Sequence, residues 1–153
     1  MAISQAMCTS FKVEILSSYH NFNTTNPAHT ANTQDVFKIA LYTSSATLDS
    51  TTTVYSTTNE VTGTGYTAGG NTLTISQVPV SSGTPTTTAY LNFSNTSWTT
   101  ATITARGALI YNSSQGNRAV AVLDFGSDKT STAGTFQINF PTAGTGSSII
   151  QIA

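Results

Sequence analysis

The stretch Ala101-Thr102-Ile103-Thr104-Ala105-Arg106-Gly107-Ala108-Leu109-Ile110-Tyr111 decides the fold class. Ile103, Ala105, Gly107, Leu109 and Tyr111 alternate with Thr102, Thr104, Arg106 and Ala108, the period of two of a long strand with one buried face. The same period recurs on both sides. Residues 35–43 set Phe37, Ile39 and Leu41 against Lys38, Ala40 and Tyr42, and residues 117–125 place Ala119, Ala121, Leu123 and Phe125 on one face. Shorter runs at 71–76 (Leu73, Ile75), 88–94 (Ala89, Leu91, Phe93), 135–140 (Phe136, Ile138 and Phe140 opposite Gln137 and Asn139) and 148–152 complete the set. Turn chemistry punctuates them: Gly63-Thr64-Gly65, Gly69-Gly70-Asn71, Ser82-Gly83-Thr84-Pro85, residues 113–117 and residues 126–134. Pro141, which has no N–H, stops the strand before it. Short strands with regular punctuation predict an all-β chain, a sandwich or a barrel.

The front of the chain reads differently. In residues 9–18, Phe11, Ile15, Leu16 and Tyr19 fall at helical spacing, with Ser10 as N-cap. Residues 21–34, rich in Asn, Thr and Ala with Pro27, have no period and read as an arm. The organisation is therefore a helix and arm over residues 1–34 and a β-domain over residues 35–153.

Composition narrows the function. Of 153 residues, 31 are Thr, 19 Ser, 11 Asn and 11 Gly, while charged residues make up 7% and the net charge is −1. Thr is β-branched and suits a solvated strand face. There is no basic stripe for nucleic acid and no polybasic patch for a membrane surface. The longest apolar stretches, such as residues 119–123, are far short of the ~18 residues of a membrane helix. Residues 1–10 hold neither the basic nor the apolar region of a signal peptide, so no secretory leader is expected. The single Cys8 makes no intramolecular disulfide and reads as a buried thiol. Small hydroxyl side chains lose little entropy when fixed at an interface, which favours a component of an assembly over a lone enzyme.

No catalytic constellation is expected. The only histidines, His20 and His29, lie near the aperiodic arm without a motif, and the six acids are scattered. Asp124 and Asp128 are close in sequence and read either as an ion site or, more economically, as a turn closed by Asp side chains. Asp124-Phe125-Gly126 matches the kinase magnesium motif without the rest of a kinase, and Gly63-Thr64-Gly65 lacks the lysine of a phosphate loop. The sequons at Asn23, Asn92, Asn95 and Asn112 are what such a composition yields by chance. Trp98, with Tyr66, Tyr90 and Tyr111, reads as sandwich core or as an aromatic platform for a sugar. No cofactor and no metal are expected.

The block from Trp98-Thr99-Thr100 through Tyr111-Asn112, followed by Asn117-Arg118-Ala119-Val120-Ala121-Val122-Leu123-Asp124-Phe125-Gly126-Ser127-Asp128-Lys129, resembles small virion proteins of tailed bacteriophages. Cys8-Thr9-Ser10-Phe11-Lys12, the run Phe37-Lys38-Ile39-Ala40-Leu41-Tyr42-Thr43 and Asn59-Glu60-Val61-Thr62-Gly63-Thr64-Gly65-Tyr66 are similar to the same family in the same order. Residues 22–34 depart from it as an insertion. The resemblance implies a capsid cement, or decoration, protein: a jelly-roll-like antiparallel β-sandwich that sits as a homotrimer on the outer surface of the major capsid protein lattice. It implies no catalytic residue and a virion location, after synthesis in the host cytoplasm. On this reading Phe11, Tyr19, His20 and Phe22 reach a neighbour, and Arg106 makes either an intersubunit contact or a local pair with Asp124. The alternative is a tail or fibre module that holds a receptor glycan on Trp98 and Tyr66.

Overall fold

The computed structural model describes residues 2–24, 33–81, 87–144 and 146–152. In chain order the elements are β1 (Ala6–Met7), α1 (Thr9–Leu16), β2 (Phe37–Tyr42), β3 (Asn71–Thr72), β4 (Ile75–Ser81), β5 (Ala89–Phe93), β6 (Thr96–Asn112), β7 (Arg118–Ile138) and β8 (Ile150–Ile152). A five-stranded sheet runs β1-β7-β6-β2-β3 and a three-stranded sheet runs β4-β5-β8, with every strand pairing antiparallel. The protein is an all-β sandwich with one short helix. No helix among the described residues is long and apolar enough to cross a membrane.

β6 and β7 form one hairpin, turned by a 3-10 segment at Ser113–Gln115 that ends on Gly116 in the left-handed region. Asn112 caps that segment by accepting from the Ser114 N–H at 3.1 Å. The expected turn over residues 126–134 is instead part of β7. The register shifts between the Gly107–Asp124 pair and the Ala105–Lys129 pair, so residues 125–128 form a wide bulge and the strand continues to Ile138. Gly126, at φ +76°, makes the bend, and β6, starting five residues earlier than expected at Thr96, supplies the backbone partner that keeps residues 129–138 extended.

β2 and the hairpin end of β6 and β7 are buried on both faces, whereas one face was expected. On one side Phe37 meets Phe22 (ring centroids 4.3 Å apart) and Phe93 of the second sheet (5.9 Å). On the other, the irregular segment 43–70 folds over Tyr42 and Tyr111, with Tyr55 stacked on Tyr111 at 4.6 Å. Each fully buried Leu or Ile here, such as Ile39, Leu41, Leu109 and Ile110, contributes about 2 kcal/mol. Beyond residue 106 toward the distal end of the hairpin, the expected alternation holds: Ala101, Ile103 and Ala105 are buried and Thr102 and Thr104 exposed. Thr104 and Thr130 share a cross-strand hydroxyl contact of 2.9 Å.

Three local expectations change. The run 71–76 divides between the sheets, because the Leu73 N–H bonds Phe37 O at 2.8 Å and the chain then crosses to begin β4. Ser10 is not the helix cap: Cys8 is the N-cap residue, without a side-chain bond, and Ser50 O accepts the Thr9 N–H at 2.8 Å. The helix turns Phe11 and Glu14 inward and leaves Leu16 87% exposed. The turn at 82–85, Pro27 and His29 lie outside the described residues.

Two substitutions test this packing. Gly70 sits at φ +64° with its α-carbon against Ile39 O, where a β-carbon has no room. Gly70→Ala is expected to lower stability by at least about 3 kcal/mol, read as a Tm drop of roughly 6–12 °C. Ser10 Oγ is buried and has no hydrogen-bond partner. Ser10→Ala is expected to leave urea unfolding unchanged or slightly stabilised, because no bond is lost and a desolvated hydroxyl is removed.

Candidate functional site

Two buried polar clusters organise the molecule. In the first, Glu60 is 7% exposed and sits in the centre of the 43–70 segment. Its Oε2 accepts from Tyr55 Oη at 2.7 Å, and its Oε1 accepts from Tyr66 Oη at 2.6 Å and from the Gly69 N–H at 2.7 Å. Tyr66 Oη in turn accepts from the Leu41 N–H at 2.9 Å, and Tyr111 Oη donates to Gly69 O at 2.8 Å. One carboxylate thus pins a segment with no long strands to the central sheet. Burial raises the phenols of Tyr55 and Tyr66 above their ordinary range, with the Glu60 carboxylate adding to the rise; Tyr111 is pushed up to about 12 by the same causes in the same order.

In the second cluster, α1 brings Glu14 beside Arg118 and His20. Glu14 Oε1 accepts from Arg118 at 2.5 Å, and Glu14 Oε2 lies 2.8 Å from His20 Nε2. The Asn112 amide nitrogen lies 2.9 Å from His20 Nδ1 and 2.8 Å from Asp35 Oδ2. An amide nitrogen only donates, so Nδ1 accepts and the ring proton sits on Nε2, directed at Glu14. Asp35 Oδ2 also accepts the Asn21 N–H at 2.9 Å, and Gln115 donates to Asp35 Oδ1 at 3.2 Å. The cluster ties the helix, the start of the arm and the β6–β7 turn together. Burial lowers the pKa of His20 despite the opposing pull of Glu14 and Asp35, and pushes the Cys8 thiol up to about 11.

The residues singled out from sequence fall in several places. Phe11, His20 and Phe22 form one aromatic cluster with Phe37 inside the chain's own core, so they are not available at the surface in this fold. Tyr19 is 46% exposed and lies under the Arg118 guanidinium, 4.5 Å from its ring centroid. Arg106 pairs with Asp124, the local contact weighed above. Trp98 is 4% exposed, packed against Phe136 and Tyr66, and Tyr66 spends its hydroxyl on Glu60; neither offers an open sugar platform. Asp124 also accepts the Gly126 N–H at 2.8 Å, a local bond at the bulge of β7, and no metal-ligating group of three is present among the described residues. Asn92 and Asn112 are buried and hydrogen-bonded.

Two further surfaces stand out among the described residues. On the outer side of α1, Leu16 lines a shallow depression with Met7, Lys12, Ile15, Gln151 and Ile152 of β8, the last 49% exposed; Val13 of the same helix is 60% exposed. A groove of about 660 Å³ follows the outer side of β7, floored by Phe125, Phe136 and Phe140 and rimmed by Gln137 and Asn139. Neither surface was visible in the sequence. The signal for Glu60 was present, as one acid inside the Thr- and Gly-rich segment beside Tyr55 and Tyr66.

Glu60→Ala leaves two phenols and an N–H without an acceptor and is expected to cost about 3 kcal/mol in urea unfolding, against about 1 kcal/mol for Tyr55→Phe. For His20, whose ordinary pKa is 6.5, the folded chain resists a proton that the unfolded chain takes up. Its contribution is therefore complete above that value and declines as the pH falls below it toward the lowered folded pKa. A Tm series from pH 8 to pH 5 is expected to fall in wild type and to flatten in His20→Gln.

Set against protein-family models, curated proteins and solved structures, the chain finds no match in any of the three.

Proposed function

We propose that the chain is a non-enzymatic virion protein of a tailed bacteriophage, a cement protein that binds the outer surface of the major capsid lattice as a homotrimer and braces it. The observation that carries this reading is the largely apolar surface on α1 and β8, where Leu16, 87% exposed, is the most exposed large hydrophobic side chain among the described residues. A large aliphatic side chain held out on a short helix suits protein contact. The charged groups support it from the other direction, since Glu14, Asp35, Asp49, Glu60 and Asp124 all hold parts of the chain together. Both nitrogens of His20 are likewise engaged, with no Ser or Cys against either.

A cement protein works by mass action: contacts made only with the intact shell disfavour its disruption. Three copies on one rigid body let modest contacts act together. Deleting residues 1–34 is a poor test, because it removes Phe11 and Phe22 from the core; a surface substitution isolates the contact.

Size-exclusion chromatography with light scattering, followed by pelleting with cognate emptied capsids, is expected to give a trimer that co-sediments. Leu16→Ser is expected to reduce co-sedimentation at least about tenfold without changing Tm, as for a truncated interface anchor. A monomer that stays in the supernatant at every concentration overturns the reading.

A further inference from the structure

We propose that His20 is a proton-operated latch: a proton on its Nδ1 breaks the contact with Asn112 and frees residues 20–22, where the chain leaves α1 for the arm, from the β6–β7 turn while the sheets stay folded.

The latch follows from the polarity of the hydrogen bonds around the ring. Asn112 Oδ1 accepts the Ser114 N–H at 3.1 Å, and its amide nitrogen gives one hydrogen to Asp35 Oδ2 at 2.8 Å. A backbone N–H can only donate and a carboxylate can only accept, so these two partners fix which way the amide faces. The second amide hydrogen then goes to His20 Nδ1 at 2.9 Å. On the far side of the ring, Nε2 carries the one ring proton toward Glu14 Oε2 at 2.8 Å. A second proton has to enter at Nδ1, where it points at an N–H. Turning the Asn112 amide over gives no relief, because that sets its NH2 against the Ser114 N–H and its oxygen against the Asp35 carboxylate. Moving His20 away from Asn112 is the remaining way to part the two donors.

The two sides of this joint are held unequally. Asn112 stands in β6 between Phe37 of β2 and Arg118 of β7. Residues 20–22 pair with no strand: Asn21 and Asp35 exchange two bonds of 2.9 Å, from the Asn21 N–H to Asp35 Oδ2 and from the Asp35 N–H to Asn21 O. The segment is therefore the side that moves. The charged and titratable groups facing His20 among the described residues are Glu14 of α1, Asp35 ahead of β2 and Arg118 of β7; β6 presents the neutral Asn112, and the rings of Phe11, Phe22 and Phe37 close the rest. Burial outweighs the pull of the two carboxylates and holds the ring below its ordinary 6.5. Once freed into water the ring takes up a proton near that ordinary value, so the closed form is favoured above it and the open form gains as the pH falls below it. Opening lifts Phe22 off Phe37, on which it stacks at 4.3 Å. His20 and Phe22 also wall a depression of about 360 Å³ with Tyr90, Leu91 and Ile150 of the second sheet, so mild acid uncovers apolar surface at the seam of the sandwich.

The test is made on the full chain by NMR. At pH 7.5 the ring nitrogens of His20, assigned by their absence in His20→Gln, are expected to show a protonated Nε2 and a bare Nδ1. Hydrogen exchange corrected for intrinsic rates is expected to show the protection of the Asn21 and Asp35 N–H groups falling at least about fivefold from pH 7.5 to pH 5.0, with the amides of the β6–β7 ladder unchanged. In His20→Gln, which keeps a donor for Glu14 and takes up no proton, the fall is expected to vanish. Asn112→Asp gives a second reading in which a carboxylate accepts the Nδ1 proton, so the His20 titration is expected to move upward. A proton on Nδ1 at pH 7.5, protection that holds to pH 5.0, a loss shared by the ladder, an equal loss in His20→Gln, or a titration that Asn112→Asp leaves in place overturns the proposal.

Discussion

The antiparallel ladder between β6 and β7 supports the rest of the molecule. β2 pairs with β6, β1 pairs with β7, and segment 43–70 lies on the face that β2 and β6 share. Its turn end is buried on both faces, which requires small residues as well as large ones: Ala108, Ala119 and Ala121 leave room for Leu109, Ile110 and Val122. Gly107 is the extreme case, with Ile3 on one side and Leu123 O on the other, so that a β-carbon would displace the chain's own N-terminal strap.

The scarcity of charge has a structural counterpart. A chain with few ionisable groups has placed most of its acids where they join segments that hydrophobic burial alone leaves loose. Glu60 holds the long excursion, Glu14 and Asp35 hold the helix and the beginning of the arm, and Asp124 with Arg106 holds the bulge of β7. Each carboxylate accepts several donors, the condition under which a buried charge is tolerated. The surface left over is mainly hydroxyl and amide, neutral and low in side-chain entropy.

Period-two alternation at 35–43, 101–111 and 135–140, with Thr on the open face, determined an all-β chain, because a half-buried strand writes its two faces into neighbouring residues. The spacing of Phe11 and Ile15 likewise determined a helix near the front. Where both faces are covered the alternation vanishes, so the second buried face of β2 and of the β6–β7 turn end became visible only when segment 43–70 had folded over it. The Gly126 region reads as a turn locally and became strand because a distant partner, β6, supplies hydrogen bonds across the bulge. Glu14 and Glu60 look like surface residues in a string of letters. Only the tertiary structure decided that their partners, His20 and Arg118 for one and Tyr55, Tyr66 and Gly69 for the other, converge, since a charge is buried by contacts that close at long range.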